Sequence, residues 1–264
     1  MSEPFPDLES DQATYNGVTR TVYRGGRGPA VVVMHEVPGL HPGVVAFGRR
    51  LIAAGMTVYL PSLFGVPGRE VTGGYVVGSI MRACVSREFA TWATRKTSPI
   101  VEWLRALARH AHAACGGRGV GAIGMCLTGG FALAMMVDDI VIAPVLSQPA
   151  LPFPISRRHR RDLGISDADL VRVRARCAST GVPVMGLRFT GDRTSPGERF
   201  VRLREELGDR FLAIEIDSSR GNPDGIPRNA HSVVTHDLVD EPGHPTRVAL
   251  DRVIAFFRER LAVA

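Results

Sequence analysis

The stretch GAIGMCLTGG (residues 121–130) joins an apolar run to the segment FALAMM through a cysteine, a threonine and two glycines. A strand that passes at once into a helix, with small residues at the junction, is the setting of a nucleophile elbow, in which a sharp turn lifts one side chain above the sheet. Gly124 fills the first small position of the usual G-x-nucleophile-x-G pattern, and Thr128 stands where a second glycine is usual. Cys126 is therefore a candidate nucleophile, and the helix start would favour its thiolate. The alternative is a small buried structural cysteine.

On both sides of this stretch, apolar runs of strand length alternate with helical patterns. Such alternation predicts an α/β fold, a doubly wound and mostly parallel sheet with helices on both faces. The predicted strands are RTVYRG, AVVVMHE, MTVYLP, GVGAIGMC, DIVIAPVLS, PVMGLRFTGD and FLAIEID. The predicted helices are VVAFGRRLIAAG, SPIVEWLRALARHAHAACGG, LTGGFALAMMV, SDADLVRVRARCAST, GERFVRLREEL and TRVALDRVIAFFRERL, and a long Gly-rich connection runs up to residue 80.

The chain has 264 residues, of which 45% are hydrophobic, enough to bury a sizeable core. Neither an internal repeat nor a low-complexity linker interrupts it, so we expect a single domain over residues 1–264. Residues 1–17 are acidic and polar, and we expect them to form a flexible N-terminal segment.

The net charge of +6 raises the question of an anionic partner. Lys96 is the only lysine, and the arginines are scattered among 26 acidic residues. The densest basic stretch, SRRHRRDLG (156–164), lacks interleaved aromatic residues, so a solvated loop is the first interpretation and a contact with an anionic substrate the second. Because the arginines are scattered, we do not expect a nucleic-acid partner. We expect no membrane partner either, since no run of about 18 uncharged apolar residues occurs.

Cysteine spacing and the N-terminus indicate the compartment. Cys84, Cys115, Cys126 and Cys177 are far apart and form no CxxC pair, which argues against disulfides and a metal site. The polar N-terminus lacks the apolar core of a secretory signal. These features predict a cytoplasmic protein with free thiols, no bound metal and no cofactor.

Two further residues, Asp192 and His231, follow predicted strands. Together with Cys126 they give the order nucleophile, acid, histidine that is typical of α/β-hydrolases. Asp192 comes directly after PVMGLRFTG, where an ordinary Asx turn is the alternative. His231 follows the last strand and the long loop SSRGNPDGIPRNA, which can reach back over the strand ends. His236 and His244 are the other candidates, and a capping or surface role fits His244 better.

With these positions in place, the sequence resembles the dienelactone hydrolase family. The likeness rests on HEVPGLHP (35–42), YLPSLFG (59–65), GMCLTGGFALA (124–134), GLRFTGD (186–192) and AHS (230–232). The resemblance implies an α/β-hydrolase fold and a carboxylic ester or lactone hydrolase, carboxymethylenebutenolidase-like in activity. It also implies a catalytic triad with Cys126 as nucleophile, His231 as acid and base, and Asp192 as the residue that orients His231.

The resemblance extends to the surroundings of the triad. Glu36 matches the family's additional carboxylate, which contacts the resting thiol, so its charge would suppress the thiolate until Glu36 moves or takes up a proton. A loop carboxylate satisfied by backbone N–H groups or by arginine is the alternative, and His35 is expected to be structural. The backbone N–H groups of Val37 and Leu127 would form the oxyanion hole.

Family substrates are cyclic esters bearing a carboxylate, which implies an anionic substrate held by an arginine. Arg87 is the candidate for that role, with Arg82 as its competitor and a solvated side chain as the alternative. The sequence departs from the family pattern at Thr128, at Thr235 and His236, where an arginine could bind carboxylate, and in the added segment PFPISRRHRRDLGISDADL.

The predicted function is thus hydrolysis of a lactone or small carboxylic ester through a thioester, by a monomer or small homo-oligomer. A catalytically weak α/β-hydrolase-like protein that binds a small molecule is the alternative. A thiol redox sensor is a third hypothesis, and it requires a resolving cysteine near Cys126.

Overall fold

A computed structural model of the protein describes residues 4–85, 88–89 and 92–263. The strands in chain order are β1 Glu9–Tyr15, β2 Val18–Gly26, β3 Ala30–Met34, β4 Thr57–Pro61, β5 Val120–Met125, β6 Val141–Ser147, β7 Val184–Phe189 and β8 Phe211–Ile216. The helices are α1 Pro42–Ala53, α2 Gly73–Val85, α3 Ile100–Cys115, α4 Phe131–Met135, α5 Arg157–Arg161, α6 Asp167–Thr180, α7 Gly197–Leu207 and α8 Pro245–Leu261.

The strands form one sheet in the order β1-β2-β4-β3-β5-β6-β7-β8. The pairs β1–β2 and β2–β4 are antiparallel, and every other neighbouring pair is parallel. The predicted mostly parallel sheet with helices is confirmed. Its parallel part places the carboxyl ends of β3, β5, β6 and β7 side by side along one edge.

Helices cover both faces of the sheet, and alternation along the strands divides the core accordingly. On β3, Val32 and Met34 pack into one hydrophobic cluster, whereas Val31 and Val33 pack into the other. The first cluster contains apolar residues of α3, α4, α6 and α7. The second contains those of α1 and α8. The central strands are therefore buried on both faces, which explains their nearly continuous apolar sequences.

Helix starts follow local sequence signals. Ser166 accepts a hydrogen bond of 3.2 Å from the Asp169 N–H, as the capping pattern predicts for α6. His41 caps α1 in the same way through the Gly43 N–H, and Pro42 takes the first helical position. Among the described residues, no helix combines the length and the apolarity needed to cross a membrane.

Four segments differ from the sequence prediction. Residues Glu9–Tyr15, expected within a flexible N-terminal segment, form β1, because their polar side chains suit an exposed edge strand and their backbone pairs with β2. The Gly-rich connection contains α2, and the basic stretch contains the short helix α5. The helix predicted over LTGGFALAMMV is only the five residues of α4, preceded by a 3-10 turn. The argument for a thiolate from a helix dipole is correspondingly weak.

Candidate active site

One side chain of the candidate site follows each of four neighbouring strands, at the same edge of the sheet. Glu36 follows β3, Cys126 follows β5, Gln148 follows β6 and Asp192 follows β7. His231 reaches this edge from the loop between β8 and α8. Parallel strands bring their carboxyl ends together, so residues more than 190 positions apart in sequence meet here.

The turn at Cys126 has the backbone strain of a nucleophile elbow. Cys126 has φ 54°, a left-handed backbone conformation that residues other than glycine rarely adopt. Its two nearby glycines are required by close approach: a Cβ on Gly124 would lie 2.1 Å from the Thr128 carbonyl oxygen, and one on Gly129 would lie 2.5 Å from the Cα of Pro149. Side chains at positions 124 and 129 would therefore clash with the turn.

Thr128, the departure from the usual elbow pattern, is fully buried. Its hydroxyl accepts a hydrogen bond of 2.9 Å from the Met125 N–H and lies 3.0 Å from the Met34 carbonyl oxygen, to which it can donate. One hydroxyl thereby closes the elbow and joins it to the end of β3. A glycine at this position would provide neither of these hydrogen bonds.

The half-buried His231 pairs with the buried Asp192. The ring Nδ1 of His231 lies 2.6 Å from Asp192 Oδ2, and the other carboxylate oxygen accepts hydrogen bonds from the Thr194 hydroxyl at 2.7 Å and the Thr194 N–H at 2.8 Å. Because Nδ1 faces the carboxylate, Nε2 is the ring nitrogen left for chemistry in the cavity. Asp237 Oδ2 fixes the histidine backbone by accepting the N–H groups of His231 and Ser232, both at 2.8 Å.

Charges around His231 determine its protonation. Burial alone would lower the pKa of His231, but a negative charge at Cys126, the hydrogen bond to Asp192 and a hydrogen bond to Cys126 together raise that pKa well above 6.5. Burial would raise the pKa of Asp192, and its bonds to His231 and Thr194 hold it below 3.8. The arrangement favours a protonated His231 ring beside the Asp192 carboxylate.

Glu36 is 2% exposed and receives two hydrogen bonds on each oxygen. Oε2 accepts from the Ser232 hydroxyl at 2.7 Å and from the Gln148 amide at 3.1 Å. Oε1 lies 3.2 Å from His41 Nε2 and accepts from the Thr235 hydroxyl. Burial alone would raise the pKa of Glu36, but the bonds from His41, Ser232 and Thr235 lower it below 4.5, so the group is ionised.

The expected contact between Glu36 and the thiol is not among these bonds. Glu36 and Cys126 line the same cavity, yet the hydrogen bonds of Glu36 to described residues come from four other side chains. Imidazole, amide and hydroxyl side chains thus hold the carboxylate, rather than the backbone N–H groups or arginine of the alternative. Thr235, at the position where an arginine could bind carboxylate, supplies one of the hydroxyl groups.

His35 has a structural environment, as expected. It is fully buried, its Nε2 accepts the Leu63 N–H at 2.9 Å and its Nδ1 donates to the Glu36 carbonyl oxygen at 3.0 Å. Burial lowers the pKa of His35 to about 4, so it stays neutral and holds two loops together.

A cavity of about 570 Å³ opens beside Cys126. Val37 and Leu127, the residues expected to supply the oxyanion hole, both line it. Arg193 and Arg228 also line it; both are exposed, and neither forms an ion pair with a described carboxylate. Arg87 lies outside the described residues, as does the side chain of Arg82.

Sequence reasoning missed the residues that hold Glu36 and the cavity arginines. Gln148 directly follows a predicted strand, so the rule that located Asp192 would also have found it. It is fully buried and has φ 34°, a second strained residue at this sheet edge. Ser232 and Thr235 carry no comparable sequence signal. They reach Glu36 only through the fold of residues 217–244, the loop between β8 and α8 that carries His231 and is called the histidine loop below.

The dienelactone hydrolase family model matches residues 16–156, more than half of the chain, including Glu36 and Cys126. The chain belongs to the dienelactone hydrolase family. Asp192 and His231 lie beyond the matched residues. They are candidate catalytic residues because of the hydrogen bond between them and their place at the cavity. Curated proteins gave no match to the sequence.

Solved structures of this family and of esterases share the fold. A dienelactone hydrolase from Anabaena variabilis is 16% identical with a TM-score of 0.62, covering 96% of this chain and 98% of that one. A dienelactone hydrolase-like promiscuous phosphotriesterase from metagenomic libraries is 18% identical with a TM-score of 0.61, covering 96% and 98%. Est1E from Butyrivibrio proteoclasticus is 15% identical with a TM-score of 0.55, covering 96% and 99%. These similarities establish the α/β-hydrolase fold.

Proposed function

We propose that the protein is a cysteine hydrolase that cleaves a lactone or small carboxylic ester through a thioester intermediate. The observation that carries this proposal is the line of side chains from Cys126 to His231 to Asp192, with His231 Nδ1 2.6 Å from the carboxylate and a thiol at its other side. This is the nucleophile, base and orienting acid arrangement of acyl transfer.

In the first half-reaction, the Cys126 thiolate attacks the ester carbonyl carbon and forms a carbon–sulfur bond. Negative charge develops on the carbonyl oxygen, where the backbone N–H groups of Val37 and Leu127 would stabilise it. When the carbon–oxygen bond breaks, the leaving alkoxide takes the proton from His231 Nε2. In a lactone, that alcohol remains attached to the acyl group.

In the second half-reaction, neutral His231 takes a proton from water, and the resulting hydroxide attacks the thioester carbon. The carbon–sulfur bond then breaks, which releases the carboxylic acid and restores the thiolate beside the imidazolium. Asp192 keeps Nδ1 protonated throughout and stabilises the positive ring. Glu36 fixes the histidine loop through Ser232 and Thr235.

An anionic substrate suits this cavity. Arg193 and Arg228 are the arginines in its described lining, and their guanidinium groups would attract a substrate carboxylate to the cavity. Arg87 remains a proposed binding residue on the basis of the family resemblance.

The proposed nucleophile needs a reduced thiol, which supports a cytoplasmic location for the enzyme. Cys115, Cys126 and Cys177 are free cysteines. The proposed reaction needs neither a metal nor a cofactor, and a monomer or a small homo-oligomer could perform it.

A panel of lactones and p-nitrophenyl esters tests the proposal. Wild type should hydrolyse members of the panel, whereas Cys126→Ala and His231→Gln should lose at least about 10³-fold in kcat. Cys115→Ser is the matched control, because Cys115 lies outside the cavity, and it should retain wild-type rates. Binding of esters without turnover by the wild type would assign the catalytically weak binding protein instead.

A further inference from the structure

Arg199, on α7, is a buried cation held by backbone carbonyl groups. It is 1% exposed, and burial lowers the pKa of its guanidinium to about 10. Its four hydrogen bonds to described residues all run to carbonyl oxygens. They reach Pro149 at 2.5 Å, Asp162 at 2.7 Å, Pro152 at 2.8 Å and His159 at 3.1 Å. A desolvated arginine with this many bonds fixes the segment that supplies them.

The segment that Arg199 holds, residues 149–162, borders the candidate active site. Its Ala150 N–H donates a 2.9 Å hydrogen bond to the Cys126 carbonyl oxygen. Ala150 and Phe153 form part of the cavity wall. Arg199 therefore positions one wall of the cavity although it does not line the cavity itself.

The cavity wall formed by Ala150 and Phe153 is apolar and extends towards the protein surface. The Phe153 ring packs against Trp92 with centroids 5.2 Å apart, and Trp92 is 50% exposed. Val76 and Leu127 add further apolar side chains to the cavity. The polar lining comes instead from the loops after β7 and β8, including Arg193, Thr194, Arg228 and Asn229.

The volume of the cavity exceeds what a short acyl group needs. Cavities of roughly 300–1,000 Å³ accommodate ligands of drug size, and this one measures about 570 Å³. Apolar side chains in such a cavity gain free energy when an apolar ligand group displaces water from them.

We infer that the wall carrying Phe153, positioned by Arg199, binds an apolar alkyl or aryl group of the substrate. The substrate class is then an ester or lactone with a substantial apolar substituent, and Phe153 determines its size selectivity. The identity of the reaction rests on the proposed function, whereas the binding of an apolar group can be measured without turnover.

The experiment combines hydrolysis of p-nitrophenyl acetate, butyrate and hexanoate with calorimetric binding of 4-phenylbutyrate. In wild type, kcat/KM should rise with acyl length. Phe153→Ala should lose about 10–100-fold in kcat/KM for hexanoate, mainly through KM, and the loss should be smaller for acetate, whose acyl group is shorter. It should bind 4-phenylbutyrate about tenfold more weakly or worse.

Variants at position 199 test the positioning role. Arg199→Met should reduce the preference for hexanoate over acetate, and Arg199→Lys should restore part of it. Arg202→Met, on the same helix but paired with Glu206 outside the cavity, should leave the preference unchanged. If the Arg199 variants do not fold, Phe153→Ala decides the question.

The outcomes separate the two proposals. Equal binding of 4-phenylbutyrate by wild type and Phe153→Ala, or an unchanged acyl-length profile, would overturn the inference. Absence of ester hydrolysis combined with weaker binding by Phe153→Ala would remove the proposed function and keep the apolar binding wall.

Discussion

The Glu36 carboxylate accepts a 2.7 Å hydrogen bond from the hydroxyl of Ser232, the residue that follows His231. Glu36 lies at the end of β3, whereas Ser232 belongs to the loop after β8, so this bond ties the histidine loop to the central sheet. Thr235 of the same loop donates to the other oxygen. We interpret Glu36 as a fixed anchor of the histidine loop.

The first prediction concerns the stability contributed by Glu36. Glu36→Gln removes an acceptor from several buried bonds and should lower the free energy of unfolding by about 1.5–3 kcal/mol at neutral pH. Because the folded-state pKa lies below 4.5, the contribution is full above pH 4.5 and is lost as the pH falls through the folded value. Urea unfolding of both proteins over this range measures the difference.

The control for this measurement is Glu70→Gln, at an exposed carboxylate. It should change the stability by less than about 0.5 kcal/mol. Equal destabilisation by the two variants would mean that the hydrogen bonds of Glu36 add no more to the free energy of unfolding than an exposed carboxylate does.

The second prediction concerns the orientation of His231. Asp192→Asn should lower kcat by about 10³–10⁴-fold, because the amide can no longer hold Nδ1 protonated and offset the charge of the ring. The loss of the carboxylate should also lower the pKa of His231 and move the alkaline limb of the kcat/KM profile to lower pH. Asp217→Asn, at an exposed carboxylate after β8, is the control and should keep the wild-type profile.

The third prediction concerns the charge at Cys126. A negative sulfur raises the pKa of His231, so Cys126→Ala should move the titration of the ring to lower pH. NMR of ring-labelled histidine follows this directly, and Cys177→Ala serves as a control for loss of a buried thiol elsewhere. An unchanged His231 titration in Cys126→Ala would show that the sulfur carries no charge in the resting protein.

The fourth prediction concerns Thr128. Thr128→Val preserves the shape of the side chain but leaves the buried Met125 N–H without its partner, which should cost about 1–3 kcal/mol in unfolding free energy. Thr128→Gly, which restores the usual elbow sequence, should also destabilise. Thr14→Val, at an exposed threonine of β1, should have little effect in the same chemical denaturation.

Most of the fold could be predicted because buried parallel strands have a strong sequence signature. Runs such as AVVVMHE and GVGAIGMC are apolar on both faces, and the helices between them show regular amphipathic spacing. The edge strand β1 was missed, because its polar residues carry no such pattern. The helix α2 was missed because glycines dominate its start.

The candidate site was predictable where a residue directly follows a strand. Cys126 and Asp192 are of this kind, and the order of the residues together with the resemblance pointed to His231. The partners of Glu36 were not predictable in this way, because hydrogen bonds across the sheet edge depend on how three separate loops fold. The family resemblance implied a contact between Glu36 and the thiol, whereas the hydrogen bonds of Glu36 to described residues run to other side chains.

The most direct test of the account is to trap the acyl group on the enzyme. A p-nitrophenyl ester that wild type hydrolyses is mixed with the protein, quenched rapidly in acid and digested with trypsin for mass spectrometry. We expect the acyl mass on the peptide of residues 119–157, which contains Cys126 and no other cysteine. The mass should be absent from Cys126→Ala. An acyl group on another residue, or wild-type hydrolysis by Cys126→Ala, would contradict the assignment of Cys126 as the nucleophile.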